Sequence, residues 1–329
     1  MITSFFSAKL QQAYSVGALL YTPANRNTIA SAVCRQQFGT RYSLALCLED
    51  TINDMYLPQA EQQAVHTLQQ IALAQERQNF YLPQIFIRLR APEQLSRLLT
   101  QLDSARSVLT GFIFPKFSLE NAPAYLEALT EANSQQRNKK FYMMPVLEDR
   151  SLLTLSSRPS QLEQLKALLD YEPQVLNIRV GCNDLCNLFS VRRQSQQTIY
   201  QVLPVAQILS DILTVFQEDY VVSAPVWEYF QDRHGQWKIG LQRELELDLL
   251  NGFTGKTVIH PNQIAIVNAA MQVSQTDYED ACQILNWNQD NPFYVSGSVQ
   301  AQRMNEYKTH HNWAQRTLLL AQLYGIRSV

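Results

Sequence analysis

Eight short apolar runs recur along the chain, and nearly every one stops at a polar or charged side chain. They are Val16–Thr22, Ser43–Glu49, Pro83–Leu89, Gly111–Lys116, Phe141–Glu148, Val175–Cys182, Tyr220–Ala224 and Lys256–Pro261. At or just after their ends stand Asn25-Arg26, Glu49-Asp50, Arg88, Lys116, Glu148, Asp184 and His260. Successive runs end 27 to 42 residues apart, enough for a loop, a helix and a second loop. Between them, segments such as Gln59–Gln78, Glu120–Ala132 and Thr198–Val215 repeat apolar residues at spacings of three and four, as amphipathic helices do. Strict strand–helix alternation implies a parallel sheet, because parallel strands require long crossovers. Eight strands favour closure into a (β/α)8 barrel over an open sheet. In a barrel all the strand ends converge on one mouth, so the pattern proposes a fold and a site together.

Length and composition agree with this reading. A single α/β barrel can occupy most of 329 residues. The barrel is expected over residues 1–285. Residues 286–329 are expected to form a C-terminal arm, with one long helix over Ser298–Leu323, packing on the barrel or on a neighbouring subunit. A net charge of −2 offers no electrostatic footprint for nucleic acid. No uninterrupted apolar stretch reaches the roughly 18 residues of a membrane span. The start, Met1-Ile2-Thr3-Ser4-Phe5-Phe6, lacks the basic and apolar regions of an export signal. Five scattered cysteines read as thiols of a reducing compartment, so a cytoplasmic location is expected.

The candidate chemistry lies at the run ends. Glu148 and Asp184 would stand on adjacent strands five and six and offer hard oxygen donors to Mg2+, or to Mn2+ in its place. The bland alternative is that each caps the following helix. Arg88 presents a planar fork to a carboxylate or an enolate oxygen, with Arg90 two residues on and Arg26 at the first strand end as further substrate contacts. Lys116 reads as an electrostatic stabiliser, as the partner of a rim carboxylate or, last, as a Schiff-base nucleophile. Glu49 and Asp50 alternate on a strand, so only one faces the centre unless the chain has turned. His260 reads as structural support. Gly252-Phe253-Thr254-Gly255-Lys256-Thr257 imitates a phosphate loop but has Leu250 where that motif needs glycine, and a strand rather than a helix follows it.

The ordered set Tyr21–Arg26, Leu48-Glu49-Asp50, Arg88, Pro115-Lys116, Glu148, Gly181–Leu185 and Gly252–Gln263 resembles the citrate lyase beta-subunit and malyl-CoA lyase family of the HpcH/HpaI aldolase superfamily. The resemblance implies a (β/α)8 barrel, usually trimeric or hexameric, with Mg2+ on the residues matching Glu148 and Asp184. It implies an arginine at Arg88 contacting the oxo acid, and cleavage or formation of a C–C bond beside a carbonyl, often on acyl-CoA. It also points to a lid segment at Arg303-Met304-Asn305-Glu306, with Glu306 in place of an acidic residue carried into a neighbouring site. Arg88-Leu89-Arg90, the Trp227 and Tyr229 region and Gln302 depart from the family pattern, and the two aromatics are expected to reshape the mouth. The expected activity is a Mg2+-dependent carbon–carbon lyase acting on a 2-oxo or hydroxy acid or its thioester. The alternatives are a Schiff-base aldolase using Lys116 and a non-catalytic protein binding an acidic metabolite.

Overall fold

A computed structural model describes residues 6–136 and 139–327; the N-terminal segment weighed above as an export signal lies almost wholly outside the described residues. Eight parallel strands form one sheet: β1 (Ala18–Pro23), β2 (Ser43–Cys47), β3 (Gln84–Arg88), β4 (Leu109–Phe114), β5 (Tyr142–Leu147), β6 (Ile178–Val180), β7 (Val222–Ser223) and β8 (Lys256–Val258). Their order is β7-β6-β5-β4-β3-β2-β1-β8. An Ala224–Lys256 bridge joins the two edges, with Thr257 N–H donating to the Ala224 carbonyl at 3.2 Å. The sheet is thereby a closed (β/α)8 barrel, as the alternation of apolar runs requires.

The strands are unbroken hydrophobic runs because both faces are covered. Every residue of β2 and β4 is buried, as in parallel sheets with helices outside and side chains filling the barrel. The helices fall where the periodicity puts them: Leu57–Arg77, Gln94–Leu102, Ala122–Ser134, Arg158–Asp170, Leu203–Phe216 and Gln236–Asn251 among them. Four of these carry proline in the first turn, where the missing N–H costs nothing. One helix was hidden in the sequence. Cys182–Leu188 directly continues the run that reads as strand six, so β6 is only three residues long and Asp184 sits in a helical first turn.

The chain divides into two compact units at Val267–Asn268, not at residue 285. The barrel unit is Val16–Val267. The other unit joins the N-terminal helix Ala8–Ser15 to the chain beyond Asn268, because helix Gln275–Leu285 packs its Ala281 and Ile284 against Ala314 and Leu318 of helix His311–Tyr324. Tyr324 also donates its hydroxyl to the Tyr14 carbonyl at 2.8 Å. The expected single helix over Ser298–Leu323 is corrected in its first half. Val295–Gly297 and Met304–Glu306 pair as an antiparallel hairpin. Ser298 caps its turn by accepting from the N–H groups of Gln302 and Arg303, and Ala301 takes a left-handed φ of 54°. Arg303 is held by Asp277 and Asp280 at 2.6 and 2.8 Å. Among the described residues no helix is long and apolar enough to cross a membrane.

Candidate active site

The strand ends bring one connected set of charges together. Glu148, the residue after β5, is buried, and its Oε1 accepts from Arg88 Nη2 at 2.9 Å and from the Lys116 backbone N–H at 3.1 Å. Lys116 offers that N–H from a left-handed turn with φ 47°, a conformation costing a non-glycine residue about 1–2 kcal/mol. Asn121 steadies the turn by donating to the Lys116 carbonyl at 2.9 Å. The other oxygen of Glu148 lies against Gly181, where even a methyl group would stand 1.6 Å from Oε2. Three strand ends thus fix one carboxylate.

Arg88 also reaches Glu49 Oε2 at 2.8 Å and Asp50 Oδ2 at 3.5 Å. The Lys116 ammonium pairs with Glu49, with Asp50 Oδ1 at 3.1 Å and, at 4.0 Å, with Asp184 Oδ1. Strand alternation would separate Glu49 from Asp50, but β2 ends at Cys47 and the chain turns, so both face the same cations. Burial pushes the Glu148 carboxyl up to about 8, with Arg88 opposing and the charge of Asp184 adding to the rise. Burial also raises Glu49, whereas hydrogen bonds from Glu49 and Lys116 and the charge of Arg88 overcome burial to hold Asp50 low. For Lys116 burial works against the charge, but Glu49 and Asp50 outweigh it and keep the ammonium protonated. Arg88 is likewise held charged against its burial by Glu148.

These groups border a cavity of about 560 Å3 at the mouth of the barrel. Asp50, Arg88, Glu148 and Asp184 line it, with Val180, Val226 and Ile259 supplying apolar wall. Glu148 and Asp184 therefore share one space, as adjacent strand ends predict. The donor set suits a hard divalent ion. Burial, with the charge of Asp184 adding to it, favours the protonated form of Glu148, and an added cation would favour the ionised one. Among the described residues no group of three or more His, Cys, Asp or Glu side chains could hold a metal, so an ion here would be completed by water and ligand oxygens. Mg2+ habitually binds in that way.

Other expected residues have different placements. Arg90 is committed to the loop after β2: it donates to the carbonyls of Leu48 (3.2 Å), Glu49 (3.0 Å) and Ile52 (2.6 Å) and pairs with Asp54. It is absent from the cavity wall, and its work is to hold Glu49 and Asp50 in place. Arg26 is exposed and also outside the wall. Trp227 does not shape the mouth; it is fully buried beneath the Arg193 guanidinium, 4.9 Å from its ring. His260 caps the short turn Pro261–Gln263 and stacks on Phe230, a structural role as read. Glu306 belongs to the other unit, where it accepts from Thr309.

Two groups escaped the sequence reading. Arg179 of β6 and Tyr21 of β1 both line the cavity. Lys256, dismissed with the false phosphate loop, is wholly buried between Glu244 (3.0 Å) and Asp248 (2.7 Å) of helix Gln236–Asn251. Arg193 pairs with Glu244 at 2.8 Å, and the Tyr200 hydroxyl donates to Asp248 at 2.7 Å. Lys256 of the Gly252–Gln263 stretch is therefore part of a buried ionic clamp between strand and helix.

The sequence model of the C–C bond lyases of the TIM-barrel fold matches residues 10–326. No curated protein matches the chain. A citrate lyase from Burkholderia xenovorans LB400 is similar in structure, with a TM-score of 0.70 at 14% identity, over 95% of this chain and 94% of that one. The protein CitE of Mycobacterium tuberculosis, in complex with magnesium, acetoacetate and coenzyme A, gives 0.60 at 16% identity over 94% and 99%. A citrate lyase beta subunit of the same organism, complexed with oxaloacetate and magnesium, gives 0.50 at 16% over 79% and 98%.

Proposed function

Because the chain belongs to the C–C bond lyases of the TIM-barrel fold, we propose that it cleaves or forms a carbon–carbon bond beside a carbonyl in a small 2-oxo or hydroxy acid or its thioester. Glu148 and Asp184 would hold Mg2+, with Mn2+ able to replace it. The observation that carries this is the placement of Glu148: buried, fixed by Arg88, Lys116 N–H and Gly181, and facing the same cavity as Asp184. The magnesium, oxaloacetate and acetoacetate in the similar structures support a magnesium-dependent reaction on a small oxo acid.

Breaking a C–C bond beside a carbonyl leaves negative charge on the carbonyl oxygen. When bound, the divalent ion supplies Lewis acidity to that oxygen. Arg88 lines the cavity as a permanent cation and stabilises the developing charge from within the wall. Asp50 is the remaining carboxylate of the wall; held ionised, it is placed to take the proton of a substrate hydroxyl as the C–C bond breaks and that carbon becomes a carbonyl. Lys116 and Glu49 position it, one by ion pair and the other through the shared ammonium. A Schiff-base route through Lys116 is disfavoured, because that chemistry needs a neutral amine and Glu49 and Asp50 hold the ammonium charged. The chain is further proposed to work in the cytoplasm as a homo-oligomer, a trimer or hexamer; all five cysteines are free, as a reducing compartment allows.

The test is a panel of 2-oxo acids, hydroxy acids and their thioesters assayed with Mg2+, comparing the parent protein with Glu148→Gln. Chelator is expected to abolish turnover, and Glu148→Gln to lower it at least a hundredfold, the scale for removing one group that stabilises charge. Chelator-resistant turnover together with a borohydride-trapped adduct on Lys116 would instead establish the covalent route.

A further inference from the structure

Arg179 is a buried cation for which the protein supplies no anion. It sits in β6 between Ile178 and Val180 and is 1% exposed. Its Nη2 donates to Thr257 Oγ1 at 2.6 Å, but Nε and Nη1 have no hydrogen-bond partner. No carboxylate pairs with it among the described residues; the phenol of Tyr21 interacts with it as a neutral hydrogen-bonding group, and the like charge of Arg88 opposes its own. Buried charges are almost always paired, since removing one from water costs several kcal/mol. By contrast Arg88, Arg158, Arg193 and Lys256, the comparable buried cations of this barrel among the described residues, each face at least one carboxylate. Arg179 lines the same cavity as Glu148 and Asp184, so the missing anion can arrive as part of a ligand.

The geometry separates this position from the carboxylate pair. Arg179 is level with Val146 on β5, two residues and roughly 7 Å of strand before Glu148. Its guanidinium turns towards Thr257 on β8, on the opposite side of β6 from β5. A ligand oxygen shared by Glu148 and Asp184 belongs to one end of the molecule, and Arg179 meets the other. We propose that Arg179, with Thr257 and Tyr21 beside it, binds a second carboxylate of the substrate and so selects dicarboxylic oxo or hydroxy acids over monocarboxylic ones. This rests on the lyase reading for its substrate type and adds to it a residue that determines specificity.

Malate and lactate form a matched pair of probes, sharing the hydroxy-acid end and differing by one carboxylate. Their affinities are measured by calorimetry, with and without Mg2+, for the parent protein, Arg179→Met and Arg179→Lys. The parent is expected to prefer malate at least tenfold, equivalent to about 1.4 kcal/mol. Arg179→Met is expected to bring the ratio near one, and Arg179→Lys to retain part of it. A parent ratio near one, or a ratio that survives Arg179→Met, overturns the proposal. So does tighter binding of 3-phosphoglycerate than of malate, which would assign the position to phosphate. If Arg179→Met fails to fold, Thr257→Val releases the guanidinium instead and should lower the ratio severalfold; an unchanged ratio is again a refutation. Loss of Mg2+ binding in the parent would sink the lyase reading alone, because the metal-free malate-to-lactate ratio still reports on Arg179.

Discussion

Gly181→Ala isolates the placement of Glu148 with a single methyl group. The backbone at Gly181 has φ −109° and ψ 83°, outside the left-handed region, so alanine meets no conformational barrier there. In the unfolded chain the change should even stabilise the protein by about 0.4–1 kcal/mol. Against this, the new Cβ would lie 1.6 Å from Glu148 Oε2, 2.6 Å from its Cδ and 2.7 Å from its Cβ. No rotation of the methyl relieves that overlap, so the carboxylate must leave. Arg88 then loses one charge-assisted hydrogen bond, worth about 1.5–3 kcal/mol, though Glu49 still pairs with it. The Lys116 N–H loses its acceptor, at about 1–3 kcal/mol if it stays buried. Setting the unfolded-state gain against these losses leaves a destabilisation of about 2–5 kcal/mol. Mg2+ affinity should fall by at least the 10–100-fold typical of disturbing a group that orients a metal ligand. Urea unfolding measures the first quantity and calorimetric Mg2+ titration the second. A double-mutant cycle supplies the control: in a Glu148→Ala background the methyl has room, and Gly181→Ala should be neutral or slightly stabilising. Equal losses in both backgrounds, or an unfolding midpoint and Mg2+ affinity unchanged in the single variant, would refute the contact.

The remaining predictions concern pH and the buried clamp. A Glu148 carboxyl pushed up to about 8 must lose its proton to hold an ion, so Mg2+ affinity should rise about tenfold per pH unit from 6 to 8 and then level off; a flat profile over that range excludes Glu148 as a ligand. In the metal-free protein the same shift acts on folding with the opposite sense. The group is raised from 4.5, so its contribution to stability is complete below that value and is lost as pH rises through about 8, a trend that denaturation at several pH values will show and Glu148→Gln should remove. Lys256→Met leaves Glu244 with Arg193 but strips Asp248 of the one cation that pairs with it among the described residues, and should cost about 3–5 kcal/mol in chemical denaturation. Adding Asp248→Asn should recover part of that loss, and a Lys256→Met protein as stable as the parent would show that the clamp contributes nothing.

The parts legible in the sequence were those where burial and period coincide. A parallel barrel strand is covered on both faces, so each of the eight appears as an apolar run, and the convergence of Glu49, Arg88, Lys116, Glu148 and Asp184 follows from closure alone. What stayed hidden are the cases where a side chain's surroundings, not its neighbours in sequence, decide its role. Alternation would put Arg90 on the same face as Arg88, yet β3 ends at Arg88 and the loop carbonyls of Leu48, Glu49 and Ile52 capture Arg90. The run Val175–Cys182 gives no internal mark where strand yields to helix, so a helix near Asp184 is readable but its start at Cys182 is not. The C-terminal hairpin depends on the pull of Asp277 and Asp280 on Arg303 from 23 or more residues away. Arg179 did carry a signal. A charged residue between Ile178 and Val180, in a strand buried on both faces, must find its counterpart inside the barrel. Lys256 shows what that counterpart looks like when the protein provides it: two carboxylates from one helix. The same rule applied to Arg179 finds only a threonine, a tyrosine and open cavity, which is how a cation built to meet a ligand differs from one built to join strand to helix.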